Sequence, residues 1–340
     1  MNLVEFPGLG GIKFEINRVA FDVFGIPIYW YGIIIAAAFL LAVLLGMRNS
    51  KLAGIEPDSV LDLVLFAAPV AVICARLFYV IFSWELFKDN PAEIINTRKG
   101  GLAIYGGVLG ALIVAYFFAK RKKIGVLTLL DFGVPYLVMA QGIGRWGNFV
   151  NQEAFGAATT LPWRMNSETV NAYLNGFMNN VDLTKWGVHP TFLYESLWDF
   201  AVFAFLIWFR KRKKVDGEVF FLYMMLYGAG RFFIEGLRTD SLMLGSFRIS
   251  QLLAAMFVIT FAALFIYRRK NTRISGDEDL AEELGQSQYG AVLMKLKEED
   301  NTAVTPENTE IPEDTETPED TGAAGEASPE ESEEENKDPD

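Results

Sequence analysis

The sequence has 340 residues, 51% hydrophobic and 14% aromatic, with a formal net charge of −12 at pH 7 and one cysteine. A positive mean hydropathy of +0.23 at that length excludes an ordinary soluble domain, and a lone cysteine excludes an intrachain disulfide framework. The charge is unevenly spread: residues 271–340 carry 23 acidic and 4 basic side chains against 19 and 26 in residues 1–270, so a basic apolar body bears an acidic tail.

The N-terminal stretch MNLVEFPGLGGIKFEINRVAF lacks the basic start and small-residue cleavage site of a secretory signal, so the first apolar run is expected to be retained. A membrane crossing needs about 20 mostly apolar residues to span about 30 Å of hydrocarbon. Seven segments meet or approach that. Residues 26–47 hold no charge, 60–82 hold Asp62 and Arg76, 102–119 none, and 124–143 Asp131. Residues 191–209 hold Glu195 and Asp199, 219–237 hold Arg231 and Glu235, and 249–267 none. Cys74 lies inside the second segment and reads as a small core or lipid-facing residue rather than a catalytic thiol.

Basic clusters follow the first segment (Arg48, Lys51), the third (KRKK, 120–123), the fifth (RKRKK, 210–214) and the seventh (RRKNTR, 268–273). With seven crossings all four fall on one side, which positive charge marks as cytoplasmic. The expected fold is therefore an all-α polytopic membrane protein of about seven transmembrane helices, N-terminus outside and C-terminus cytoplasmic. A small extracellular cap is expected over about 155–189, between the fourth and fifth helices. Residues 1–270 read as a membrane-embedded catalytic domain. Residues 271–340 read as an acidic, mostly disordered cytoplasmic tail with a TPENTE-like repeat of period six and a possible short helix over 280–297.

On that topology the polar residues gather on the outer side. The stretch QGIGRWGNFVNQEAFG (141–156) puts Arg145, Asn148, Asn151 and Glu153 at the outer end of the fourth segment. GGLAIYGG (100–107) opens the third, Tyr29 to Tyr31 the first, and His189 to Glu195 the fifth. Arg231, Glu235 and Arg238 close the sixth on one helix face, at i, i+4 and i+7, and Arg76 stands in the outer half of the second. An arginine at a bilayer centre costs about 2.5–3.5 kcal/mol, and a lone one near a span end is only an interfacial anchor. Four on one side point to a function, and guanidinium matches phosphate with a two-pronged hydrogen bond. Glycines around Arg145 and in IYGGVLG, Gly106 among them, permit close approach of a lipid headgroup. Gly106 and Gly110 also form a small-xxx-small pair suited to helix packing. Asp131 reads as a buried structural carboxylate. His189 is the sole histidine and no nucleophile elbow is present, so a Ser-His-Asp hydrolase is poorly supported. No metal-ligand spacing occurs, and neither a metal nor a cofactor is expected.

GIGRWGNFVNQEAFG resembles the defining motif of the bacterial prolipoprotein diacylglyceryl transferases. YWYG (29–32), ARLFYV (75–80), GGLAIYGG, HPTFLYE (189–195) and RFFIEGLR (231–238) follow in family order, so the resemblance covers about residues 20–268 and leaves out the tail. It implies transfer of the diacylglyceryl group of phosphatidylglycerol to the lipobox cysteine of a prolipoprotein, at the outer leaflet of the bacterial cell membrane. It implies that Arg145 and Arg231 bind the headgroup and stabilise the leaving phosphate, and that Glu235 and Tyr105 belong to the catalytic set. Asn148, Glu153, Gly156, Arg238 and Tyr31 would join Arg145, Arg76 and Gly106 in holding phosphatidylglycerol. Many members have histidine where this chain has Tyr105; a phenol with a pKa near 10 is a poor base at neutral pH. A seven-helix transporter or receptor for an anionic lipid or metabolite is the alternative from another class, and inverted repeats or interrupted helices would mark it; neither is evident. Nucleic acid is not an expected partner.

Overall fold

The computed structural model describes residues 2–97, 100–178, 181–239, 243–244 and 247–271; the acidic tail and the short helix expected in it lie outside the described residues. The chain is mostly helical. Its helices are α1 (Trp30–Asn49), α2 (Pro57–Phe82), α3 (Ile104–Lys122), α4 (Val126–Asn151), α5 (Glu168–Phe177), α6 (Thr191–Phe209), α7 (Glu218–Glu235) and α8 (Ile249–Asn271). Among the described residues six of them, α1, α2, α3, α4, α6 and α8, are long and apolar enough to cross a membrane, which marks a multi-pass membrane protein. α7 matches the sixth expected segment, but carries Glu218, Arg231 and Glu235 among its 18 residues.

The helices divide into a centre and a lipid-facing rim. α4 buries ten residues, among them Leu129, Val134, Val138 and Met139. α1 buries only Ala38 and Gly46, and α8 only Ala254. α4 packs against α1, α6 and α7, while α2 pairs with α3 and α7 with α8. Without a hydrophobic drive between helices in lipid, such pairs depend on close fit. At α2–α3, a Cβ on Gly106 would lie 2.4 Å from the Cys74 carbonyl, and one on Gly110 2.8 Å from the Cys74 Cβ. Gly106 therefore acts as a packing residue, and Cys74 is part of that helix seam.

The ends that carry the basic clusters are tied together. Lys122, ending α3, bridges Asp62 of α2 at 3.2 Å, and Arg269 of α8 bridges Glu218 at the start of α7 at 3.2 Å. The expected structural role of Asp131 is filled there. Its carboxylate accepts from Lys213 Nζ at 2.9 Å and from the Gly217 and Phe220 amides at 2.8 Å each. Lys213 also donates to Asp216 at 2.7 Å.

Two sequence expectations need correction. The fold is not all-α, and the first helix starts at Trp30 rather than within residues 26–29. Strands β1 (Asn2–Phe6), β2 (Ile12–Ile16), β3 (Val19–Val23) and β4 (Ile26–Tyr29) precede it. The apolar run from Ile26 was extended backbone: Phe24 and Gly25 have φ of 51° and 79°, the two left-handed residues of a tight hairpin turn that pairs β4 with β3. β1 lies between β2 and β6 (Asn166–Ser167). Around that sheet Val4, Phe6, Met165, Val170, Leu174, Val188 and Phe192 form a core, which joins residues 158–178 and 181–188 to the N-terminal strands. Ser167 caps α5 by accepting from the Val170 amide at 3.2 Å. β5 (Ala158–Thr159) and β7 (Gly187–Val188) pair antiparallel within those residues.

Candidate active site

Of the stretch QGIGRWGNFVNQEAFG (141–156), residues 141–151 are helical. α4 continues through Arg145 and Asn148 to Asn151 and stops where Gln152 and Ala154 take φ of 53° and 57°. That turn carries Glu153 back over the helix end. Its Oε1 accepts from Asn148 Nδ2 at 3.1 Å and Asn151 Nδ2 at 3.3 Å. The chain then runs beside the end of α7: the Gly156 amide donates to the His189 carbonyl at 2.9 Å, and Ala157 to the Leu237 carbonyl at 2.6 Å. A Cβ on Gly156 would lie 2.7 Å from the His189 Cβ and 3.0 Å from the Leu237 carbonyl. Gly156 therefore lets two chain segments meet beside Arg238, with which it pairs.

Three arginines converge on one carboxylate. Glu195, one turn into α6, lies 2.6 Å from Arg145 Nη2, 3.4 Å from Arg231 Nη1 and 3.4 Å from Arg238 Nη1. Glu235 holds two of the same residues from the other side, at 2.6 Å to Arg231 Nη2 and 3.8 Å to Arg238 Nε. Arg231 and Glu235 share the last turn of α7, but the expected i, i+7 face is not formed, because α7 ends at Glu235 and Arg238 follows it in a turn that bridges to Gly156; the network therefore joins α4, α6, the end of α7 and the turn after it. Three guanidinium groups against these two carboxylates leave one net positive charge. Both carboxylates are almost fully buried while Arg145 and Arg231 keep about a fifth of their side chains exposed. Positive charge on the open side and negative charge behind it form a preorganised site for an anion.

Glu195 and Asp199 lie inside the fifth expected segment, and the sequence by itself assigns neither a role. Asp199 follows Glu195 by one turn, is 3% exposed, and its Oδ2 has no hydrogen-bond partner among the described residues. The available signal was the i, i+4 pair of carboxylates in an otherwise apolar helix. α4 and α6 are joined again where Trp146 Nε1 donates to Ser196 Oγ at 3.2 Å.

The remaining predicted residues fall into two groups. Tyr31 belongs with the α4 motif, because its ring lies where a Cβ on Gly147 would sit, 2.7 Å from Cδ2. Arg76, Gly106 and Tyr105 belong to the α2–α3 pair. Arg76 is 7% exposed, and its guanidinium donates to five carbonyls: Glu93 and Ile94 at 2.7 Å, Gly101 at 2.8 Å, Gly100 at 2.9 Å and Asn96 at 3.1 Å. The Phe87 ring lies 5.1 Å away. Its donors are committed to holding the loop before α3, which leaves them unavailable to a phosphate. Tyr105, in the first turn of α3, is 60% exposed. His189 Nδ1 lies 3.2 Å from the Tyr194 hydroxyl, which accepts from Trp163 Nε1 at 2.6 Å, and burial holds the imidazole below its ordinary range. Among the described residues no group of three or more His, Cys, Asp or Glu could hold a metal ion.

Residues 18–267 match the family model described as prolipoprotein diacylglyceryl transferase. A protein of Clostridioides difficile named phosphatidylglycerol–prolipoprotein diacylglyceryl transferase is 46% identical over 263 residues, 77% of this chain and 100% of that protein. Proteins of the same name from Limosilactobacillus reuteri and Finegoldia magna are 47% and 43% identical, covering 76% and 77% of this chain and 94% and 99% of their own. The matched region contains α1 to α4, β5 to β7, α6 and α7, and with them every member of the arginine network; on that basis the chain belongs to the prolipoprotein diacylglyceryl transferase family.

Proposed function

We propose that this protein transfers the diacylglyceryl group of phosphatidylglycerol to the lipobox cysteine of a prolipoprotein, the first step of bacterial lipoprotein maturation. The observation that carries this reading is the convergence of Arg145, Arg231 and Arg238 on Glu195. Headgroup phosphate binds on the open side of Arg145 and Arg231, which need no movement to meet it. The substrate thiol gives up its proton to water, and its sulfur forms a thioether bond to the diacylglyceryl carbon that carries the phosphate. The carbon–oxygen bond to phosphate breaks, and the electron pair leaves on glycerol phosphate. Negative charge grows on that leaving group, where fixed guanidinium groups in a dry site stabilise it most. Glu195 and Glu235 hold the arginines in place, and Asn148 and Glu153 orient the headgroup. Tyr105 supplies a hydrogen bond to the incoming thiol. The nucleophile belongs to the substrate, which accords with Cys74 lying in a helix seam.

In the proposed topology α7 is a seventh crossing, about 27 Å long at 1.5 Å per residue. Its start is tied to the end of α8 by Glu218 and Arg269, on the side of Lys122 and Lys213. That side is assigned to the cytoplasm by its lysines and arginines. The arginine network, the cap and the N-terminus then face the outer leaflet of the cell membrane. Purified protein with phosphatidylglycerol vesicles and a lipobox peptide is expected to give a peptide heavier by one diacylglyceryl group. Arg145→Ala is expected to insert normally and give no product. An unmodified peptide with the unaltered protein, or full activity in Arg145→Ala, would overturn the reading.

A further inference from the structure

The transfer releases a proton, and most ionisable groups of the site are already committed. Glu195 lies 2.6 Å from Arg145 and Glu235 2.6 Å from Arg231, so a proton on either would weaken a short ion pair. Glu153 accepts from two side-chain amides, and Nδ1 of His189 is engaged with the Tyr194 hydroxyl. Asp199 differs. It is 3% exposed, and its Oδ2 has no hydrogen-bond partner among the described residues. Buried polar atoms are almost always paired, so such an oxygen marks strain or function.

The surroundings of Asp199 are rigid. α4 comes close because residue 142 is glycine, where a Cβ would lie 3.2 Å from the Asp199 Cβ. α7 is held on the other side, where Trp198 Nε1 donates to the Leu226 carbonyl at 2.9 Å. Among the described residues the charges that act on Asp199 are Arg145 from α4, Arg231 from α7 and Glu195 on its own helix. The phenols of Tyr223 and Tyr227 on α7 also lie within its electrostatic reach, but the Tyr223 hydroxyl donates to Gln141 Oε1 at 3.2 Å. Further along α6, Val202 and Leu206 belong to an apolar core with Val134, Val138 and Val219. Asp199 is therefore the innermost acidic group on the α6 side of the site.

We propose that Asp199 accepts the proton of the substrate thiol, relayed by water, and holds it until glycerol phosphate leaves; the assignment rests on the transferase reading above. The S–H bond breaks and an O–H bond forms on Oδ2, while sulfur bonds to carbon and the carbon–oxygen electron pair leaves on phosphate. Oδ2 gives up no hydrogen bond in taking the proton. Charge balance favours this acceptor. The three guanidinium groups against Glu195, Glu235 and an ionised Asp199 are neutral, and protonation of Asp199 leaves one positive charge. The phosphate passes from one negative charge to two in the same step. Network and phosphate together keep one net negative charge throughout, so no uncompensated charge develops where the dielectric constant is low.

The test uses the full-length protein in phosphatidylglycerol vesicles with two lipobox peptides, one carrying cysteine and one selenocysteine, whose selenol is already ionised at neutral pH. Asp199→Asn is expected to lower kcat with the cysteine peptide about 100-fold, the lower end of what a positioned proton acceptor contributes, and kcat with the selenocysteine peptide less than about threefold. The KM for phosphatidylglycerol is expected to stay nearly constant. Asp199→Glu, which keeps a carboxylate, is expected to restore most of the cysteine rate. Asp199→Leu removes the carboxylate without leaving a polar group in the helix and is expected to repeat the selectivity of Asp199→Asn. Equal slowing of both peptides in Asp199→Asn and Asp199→Leu, the mark of a purely structural residue, or an unchanged cysteine rate overturns the proposal. Failure of the transferase reading is distinct, because the unaltered protein would then modify neither peptide.

Discussion

Removing the Glu195 charge is the sharpest perturbation of the site. Glu195→Gln keeps the shape of the side chain and raises the net charge of the network by one. A unit-charge pair about 4 Å apart is worth about 4 kcal/mol at an effective dielectric constant near 20. Arg145 approaches to 2.6 Å and two further arginines to 3.4 Å, so the gross loss exceeds one such pair. Repulsion among the arginines opposes it. The Glu195 side chain is 7% exposed against 21% and 23% for Arg145 and Arg231, so water reaches the cations and screens them. A net destabilisation of about 2–3 kcal/mol remains, below the 3–5 kcal/mol typical of a fully buried broken pair. At about 2–4 °C per kcal/mol for a domain of this size, the thermal midpoint in detergent should fall by about 5–10 °C. Arg145 would also lose its anchor, and a misplacement of about 1 Å costs on the order of 100-fold in rate. Adding Arg238→Gln restores the charge balance and should recover part of the midpoint but little of the transfer rate. Glu195→Gln with both the midpoint and the transfer rate unchanged would refute the network as the organiser of the site.

Arg76→Lys should release the loop before α3, because an ammonium has three donors where the guanidinium satisfies five carbonyls; faster proteolysis within residues 84–101 is the expected readout, and an unchanged digestion pattern counts against the assignment. Asp131→Asn should destabilise the protein by about 3–5 kcal/mol by leaving Lys213, 3% exposed, with a weakened partner set, and Lys213→Met in the same chain should recover part of the lost midpoint; two independent, additive losses would show that the pair is not coupled. For His189, burial depresses the imidazole below its ordinary 6.5, so below that pH the unfolded chain binds the proton more readily. Stability should therefore fall as the pH drops through 6.5, and His189→Gln should flatten that dependence of the thermal midpoint; identical slopes in both proteins would remove His189 as its source.

Much of this protein is legible along the chain because a bilayer imposes a simple rule. Each crossing must satisfy its own backbone and present apolar side chains, so 191–209 is a helix with the expected ends, while α4 runs on past the expected 143 to Asn151 through the polar motif. The rule fails at residues 26–29, where hydropathy does not distinguish an apolar strand from a helix start and the left-handed Phe24–Gly25 turn decides. IKFEI (12–16) alternates apolar and charged residues and pairs with the nearby β1, but β1 pairs on its other edge with Asn166 and Ser167, about 160 residues away. The arginines of the apolar segments were also legible, since ionisable side chains there are costly and stand out. Which of them act together was not. Arg76 and Arg145 look alike in sequence; only packing shows the first wrapped in five backbone carbonyls and the second partly exposed and paired with Glu195. Glu195 looked like one more charge in a helix until α4, α6 and α7 brought three guanidinium groups to it. Composition and periodicity thus determined most of the apolar helices, because burial in lipid is read residue by residue. The pairing of charges was decided by tertiary structure alone, because Coulomb interactions depend on distances that sequence separation does not encode.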